Sequence, residues 1–265
     1  MKTYYYVHTG HRIGLDRFRR ACAIINELKN QDIILLSSDY RIAQVAHEYG
    51  VQNAVGVDVV RNIPYIAEQG DRLIFDSDEA NPIMLEDMKK FFSTFIHIKN
   101  GSIIVEPTYF LKNKKTVKMT YFFGDDDYEK DLEKNISFID NFNPYLQLGF
   151  YYFLDYEEEL KNKFQNYFEF DEYKEMIKKT DILITASPQA VLDSLASGGR
   201  PIYIKRLDYS DDFDEIFIDL NIPIIQNYDF NELNNLLKVL DNQKYKNLEE
   251  KSNKFILFIS NNLRL

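Results

Sequence analysis

Ile182-Leu183-Ile184-Thr185-Ala186-Ser187-Pro188-Gln189-Ala190-Val191-Leu192-Asp193-Ser194-Leu195-Ala196-Ser197-Gly198-Gly199-Arg200-Pro201-Ile202-Tyr203-Ile204 is the stretch that decides the fold. Residues 182–185 are a short aliphatic and β-branched run, the mark of a strand buried on both faces. Ala186 and Ser187 are small, and Pro188 suits the first turn of a helix that runs from Gln189 to Ser197. Gly198-Gly199 stops that helix, and Pro201-Ile202-Tyr203-Ile204 opens another strand. Strand, helix and strand with so short a return make a parallel βαβ unit.

The same alternation extends in both directions. Upstream, Tyr4 to His8 is strand-like and ends in Thr9-Gly10. Helical spacing follows from Asp16 to about Lys29, with Phe18, Ala21, Cys22, Ile25 and Leu28 on one stripe. Residues 33–36, 72–76 and 95–98 read as further strands. Tyr40 to Tyr49 reads as a helix stopped by Gly50, and a third helix spans about Met84 to Phe91. Lys112-Asn113-Lys114-Lys115 is polar and aperiodic, the expected linker. A second series begins with the strand 117–123 and the turn Gly124-Asp125-Asp126-Asp127. A helix to about Phe138, a strand from Leu146 to Phe153 and a broken helical stretch from Tyr156 to Lys179 complete it. The expectation is an α/β protein of two Rossmann-like parallel-sheet domains, residues 1–112 and 116–265. They would face each other across a cleft between their strand C-termini, where ligands of such sheets bind.

Composition narrows the function. The 265 residues carry a formal charge of −10, with 45% hydrophobic and 28% charged residues, which excludes global disorder. That charge argues against a protein whose task is to grip nucleic acid. The lone Cys22 permits no internal disulfide and no cysteine metal cluster. No run approaches the roughly 20 apolar residues of a membrane span, and the N-terminus reads as a strand rather than a signal peptide. The expectation is a soluble, cytoplasmic protein without a metal or organic cofactor.

Two turns carry the candidate chemistry. In Gly10-His11-Arg12-Ile13-Gly14-Leu15-Asp16-Arg17-Phe18-Arg19-Arg20, glycines allow a tight turn into a helix whose N-terminus favours anions. Asp16 is placed as N-cap, Arg17 and Arg20 share a helical face, and Arg19 is expected to face solvent. Gly10 and Gly14 match neither the dinucleotide nor the P-loop spacing. In the second turn Ala186, Ser187, Pro188 and Gln189 let a ligand approach a helix start, with Asp193 either a solvent-facing acid or a ribose acceptor. Asp76-Ser77-Asp78 spells a metal-type Asp-x-Asp, although a strand-end acid lining the cleft is the preferred reading of Asp76. Residues 125–127 read as a solvated turn capping the next helix. His47 and His97 read as structural, whereas His8 and His11 flank the first turn, where a histidine can act as acid or base. Tyr151, Tyr152, Phe153, Tyr156, Phe164, Tyr167, Phe168 and Phe170 are expected to pack rather than to stack on a ligand.

These segments resemble a known group. The run from Ile184 through Asp193 to Gly199 and Pro201 is similar to the sugar-nucleotide site in the C-terminal half of GT-B-fold enzymes. Within that group, Ile13-Gly14 followed by Arg17 and Arg20 resembles the N-terminal loop of the pseudaminic-acid-pathway UDP-sugar hydrolases. Asp76 and Gly124-Asp125-Asp126 fall where that family has an acid and a glycine–aspartate turn. In that family a catalytic histidine stands where this chain has Arg17, and Arg20 matches. The resemblance implies a nucleotide-sugar enzyme, hydrolase-like or glycosyltransferase-like, acting on a UDP-sugar in bacterial surface-glycan or glycoprotein-sugar metabolism. It implies catalytic roles at His11, Asp16 and Arg17. Substrate contacts are implied at Gly14, Arg20, Asp76, Gly124, Asp125, Ala186, Ser187, Pro188, Gln189 and Asp193. The alternative is a non-catalytic binding or partner protein of the same fold.

Overall fold

Tyr4, Tyr5, Tyr6 and Val7 are all buried, so the first strand has no solvent face and reads as one apolar run. The computed structural model describes residues 1–10, 12–28, 32–111, 113–150, 157–226 and 228–263. They fall into two compact units, Met1–Glu106 with Lys251–Leu265, and Pro107–Glu250.

The first unit runs β1 (Thr3–Val7), α1 (Asp16–Glu27), β2 (Ile33–Ser37), α2 (Tyr40–Val45), β3 (Ala54–Gly56), α3 (Ile63–Ile66), β4 (Arg72–Asp76), α4 (Pro82–Phe91) and β5 (Thr94–His97). Its parallel sheet has the order β3-β2-β1-β4-β5. Apolar side chains from one sheet face, among them Tyr6, Leu73 and Phe75, pack with Ile63, Met88 and Phe92. The Tyr6 and Phe75 rings stack at 5.5 Å.

The second unit runs β6 (Val117–Phe122), α5 (Asp131–Lys134), β7 (Tyr145–Gln147), α6 (Glu157–Lys163), β8 (Tyr167–Phe168), α7 (Tyr173–Lys179), β9 (Thr180–Thr185), α8 (Pro188–Ala196), β10 (Arg200–Lys205), α9 (Asp214–Asp219), β11 (Ile224–Gln226) and α10 (Phe230–Val239). Its parallel sheet has the order β11-β10-β9-β6-β7-β8. Ile182, Ile184, Ile202, Ile204 and Tyr121 form its core with Leu132, Leu233 and Leu240. Each such aliphatic side chain stabilises the fold by roughly 1.5–3 kcal/mol when fully buried.

A last helix, α11 (Glu249–Asn262), returns to the first unit. Its Ser252 is fully buried, and the hydroxyl accepts from the Val105 amide at 3.1 Å. The expected division at 112–116 thus differs from the compact units at both ends of the second one. Asn113 to Thr116 look like a linker because they lack periodicity, yet they are tied into the second unit. Asn113 Nδ2 and Lys115 Nζ both donate to Ser197 Oγ, Lys115 also to the Ile177 carbonyl, and the Thr116 amide to the Lys179 carbonyl. Lys112 lies outside the described residues.

Other expectations shift locally. The helix of residues 40–49 tightens into a 3₁₀ turn, Ala46–Tyr49, before Gly50 ends it at φ 86°. The helix expected to reach Phe138 is the single turn Asp131–Lys134 followed by 3₁₀ turns. The strand expected over 146–153 is Tyr145–Gln147 among the described residues, and the broken helix of 156–179 contains the short strand β8. Among the described residues no helix is long and apolar enough to cross a membrane.

Candidate functional site

In both sheets the first strand lies between the second and fourth of its unit, so the connections leave in opposite directions at that point. Crevices of such sheets form there, at the strand C-termini.

In the second unit, Phe122 pairs with Thr185, so Phe123-Gly124 and Ala186-Ser187 leave the sheet side by side. Gly124 has φ 133°, where an L side chain is strained, and a Cβ would come within 3.0 Å of Asp126 Oδ1. Ser187 is the N-cap of α8, accepting from the Ala190 amide at 3.1 Å, with Pro188 in the first turn. Its own amide donates to Thr185 Oγ1 at 3.0 Å. Ala186, Ser187, Pro188 and Gln189 are all buried. Asp193 faces inward rather than to solvent. It is 3% exposed and accepts from Tyr173 Oη at 2.9 Å and from Gln189 Nε2 at 2.8 Å.

The acidic turn is not solvated: Asp125, Asp126 and Asp127 are 2%, 7% and 1% exposed. Asp127 does cap the following turn, accepting from the Asp131 and Leu132 amides. Asp126 accepts from Arg206 Nη1 at 2.9 Å and from Tyr209 Oη at 2.8 Å. The Arg206 guanidinium lies over the Phe123 and Tyr209 rings, at 4.7 and 4.4 Å from their centroids. It also donates to Asp208 through Nε and Nη2. Burial opposes its charge, but Asp208, Tyr209 and Asp126 outweigh that and raise its proton affinity. A Cβ on Gly124 would lie 3.8 Å from Arg206 Nη1, so this arginine belongs to the Gly124 turn. The sequence reading missed it. The signal was an arginine directly after the strand that ends in Ile204-Lys205, at the end of the sheet where ligands bind.

In the first unit, Val7 pairs with Asp76, so His8 and Ser77 leave the sheet together. Gly10 and Gly14 exchange backbone hydrogen bonds, and Thr9 Oγ1 donates to the Gly14 carbonyl at 2.7 Å, closing the turn into α1. The helix starts at Asp16 with Leu15 as N-cap, so Asp16 is its first residue rather than its cap. Asp16 lies 3.6 Å from Arg19, which is buried rather than solvent-facing. His11 lies outside the described residues, as do Tyr151, Tyr152, Phe153 and Tyr156 of the aromatic series. Phe164 and Phe168 are buried.

Arg20 and Asp76 form a buried bidentate pair at 2.9 and 2.5 Å, to which Tyr5 Oη donates at 3.0 Å. Burial, then the Asp76 charge, drives the Tyr5 phenol well above its ordinary pKa. Arg17 donates to both oxygens of Asp78, at 2.9 and 3.0 Å, and to Asn100 Oδ1. His8 Nδ1 is 3.1 Å from Asp78 Oδ1. Hydrogen bonds from His8 and Arg17 hold the Asp78 carboxyl far below its usual range. Both acids of Asp76-Ser77-Asp78 thus already have guanidinium partners, the opposite of a cation site. His97 Nε2 contacts the Ser77 carbonyl at 3.2 Å and His47 Nδ1 the Gln44 carbonyl at 2.8 Å.

With this geometry in place, the chain is similar in structure to the UDP-GlcNAc 2-epimerase of Methanocaldococcus jannaschii in complex with UDP-GlcNAc and UDP. The TM-score is 0.59 at 10% identity, over 98% of this chain and 99% of that one. It is also similar to the spinosyn forosaminyltransferase SpnP, with a TM-score of 0.54 at 9% identity over 100% and 95% of the two chains. These likenesses show the fold, two parallel-sheet α/β domains of GT-B type. No family model and no curated protein sequence matches the chain.

Proposed function

We propose that the chain binds a nucleotide sugar, a UDP-sugar first, and cleaves or transfers it at the sugar–phosphate bond. The observation that supports this most is the strand order of the second unit, which gathers the Gly124 turn, the start of α8 and Arg206 at one switch point. One of the similar structures holds UDP-GlcNAc and UDP.

In this reading the diphosphate meets the positive end of the α8 dipole and the Arg206 guanidinium. Gly124 lets the backbone approach, while Ala186, Ser187, Pro188 and Gln189 line the helix start and Asp125 the turn. Asp193 acts from behind by fixing Gln189 and Tyr173. Arg20 and Asp76 brace the first unit, and Gly14 and Asp16 shape its first turn. Charge developing on the leaving diphosphate is what such donors stabilise.

Calorimetry with UDP, UDP-GlcNAc, GDP and CMP, with and without chelator, tests the reading. UDP is expected to bind with affinity unchanged by chelator, and Arg206→Ala to weaken it by roughly 1.5–3 kcal/mol, the range for hydrogen bonds to charged groups. Absence of binding by every nucleotide removes the reading. A second reading, a binding or partner protein without turnover, draws on Arg17 standing where the resembled hydrolases have their histidine. UDP binding with no free sugar and no transfer product selects it.

A further inference from the structure

We infer that Asn100 is a spontaneous modification site, converted by water from amide to carboxylate, and that the new carboxylate draws Arg17 away from Asp78. Asn100-Gly101 is the one asparagine–glycine pair in the sequence. Both residues belong to the turn that follows β5. The Ser102 amide and hydroxyl close that turn by donating to the Lys99 carbonyl, at 3.3 and 2.7 Å. Gly101 has φ 75°, a conformation that favours glycine, and it puts no β-carbon beside its own amide. Asn100 is exposed. Among the described residues the Gly101 amide donates to no acceptor, so no hydrogen bond holds back the nitrogen that must attack.

The reaction needs no co-reactant but water. The Gly101 amide nitrogen gives its proton to solvent and bonds to the Asn100 side-chain carbonyl carbon. The bond from that carbon to the side-chain nitrogen breaks, and the nitrogen takes a proton and leaves as ammonia. Water then adds to either carbonyl carbon of the succinimide ring. The ring C–N bond breaks with its electron pair on the Gly101 nitrogen, which regains a proton. One water enters and one ammonia leaves, and aspartate or isoaspartate stands where the amide was.

Arg17 makes that charge matter. Its Nη2 is divided between Asp78 Oδ2 at 3.0 Å and Asn100 Oδ1 at 3.2 Å, while Nη1 reaches Asp78 Oδ1 at 2.9 Å. In the aspartyl product a charged oxygen replaces the neutral Oδ1, so two ionised acceptors compete for one Nη2. Asp78 then keeps less of the guanidinium. His8 reports the change, because Asp78 Oδ1 is 3.1 Å from its Nδ1 and Glu79 Oε1 is 3.8 Å from its Nε2. These are the charged groups that face the ring, with Arg17 acting through Asp78. A freer Asp78 favours the protonated ring.

Ageing the full chain in oxygen-18 water, followed by peptide mass spectrometry, tests the site. Acid carrying one heavy oxygen is expected at residue 100, with isoaspartate beside aspartate, and faster than at any other asparagine. Asn100→Gln, whose longer side chain closes a ring far more slowly, should lose that signal. Nitrogen-15 NMR of Asn100→Asp reads the consequence, with His8→Gln assigning the ring. The His8 titration midpoint is expected to rise in Asn100→Asp and to stay in place in Asn100→Gln. With Arg17→Met as the background, most of the rise produced by Asn100→Asp should vanish. No acid at residue 100 once a free peptide of residues 97–104 has converted overturns the site. An unmoved His8 midpoint in Asn100→Asp, or an equal rise without Arg17, overturns the transfer of Arg17.

Discussion

The two switch points share a topology and differ in how their charge is disposed. In the first unit Arg20 is bound bidentately to the buried Asp76, and Arg17 bidentately to the exposed Asp78 with a further bond to Asn100. In the second, Arg206 is shared between Asp126 and Asp208 and is also laid over two aromatic rings. A guanidinium divided among several partners can exchange one for a ligand oxygen. One locked bidentately in a buried pair cannot do so without leaving a bare carboxylate. In the proposed function Arg20 braces the first unit through the buried Asp76, and Arg206, whose partner Asp208 is exposed, meets the ligand.

The most severe way to break it is at Arg20. Arg20→Met leaves Asp76 buried without its cation and is expected to destabilise the first unit by about 3–5 kcal/mol. Urea denaturation measures this, and adding Asp76→Leu should recover most of the loss. If Arg20→Met is silent, the pair does not brace the unit. Next in size is Asp193→Ala, which strands the Tyr173 hydroxyl and the Gln189 amide. It should lower the second unit's stability by about 1–3 kcal/mol for each group left unsatisfied. The same denaturation reads Ser187→Ala, where loss of the α8 cap is worth about 1 kcal/mol.

A further effect lies in pH. Burial lowers Lys115 to about 8. Its unfolded pKa is higher, so between these values the unfolded chain binds more protons, and stability rises as pH increases through that window. Lys115→Met should flatten the rise in a denaturation series from pH 7 to 10. Asp78 acts with the same sign in a lower pH window. Its folded pKa is depressed, so its contribution is present above the unfolded carboxylate pKa and fades as acid protonates it. Asp78→Asn should therefore lose the wild type's advantage at neutral pH and match it more closely in acid.

Strands were legible wherever both faces are buried, since Tyr4–Val7, Ile33–Leu36 and Ile182–Thr185 are continuous apolar runs. β8 was not, because two residues at a sheet edge make no periodic signal. The site was legible as turns and illegible as pairs. Nothing in the sequence says that Asp78 is 2.9 Å from Arg17, 61 residues away, since only the β1–β4 register brings them together. The same blindness hid Arg206, whose partner Asp126 lies 80 residues upstream. It also made an acidic turn look solvated that is sealed by aromatic rings and a cation.

The return of α11 to the first unit has a consequence for synthesis. The second unit, Pro107–Glu250, is a continuous insert within the first, whose residues are split on either side of it. A ribosome therefore delivers all of the inserted unit before the first can close, and domains generally fold as units while the chain emerges. Ser252, the partner of the Val105 amide, is made 147 residues after it. Throughout that interval the early β-sheet waits for its final helix, so the half made first is the half finished last.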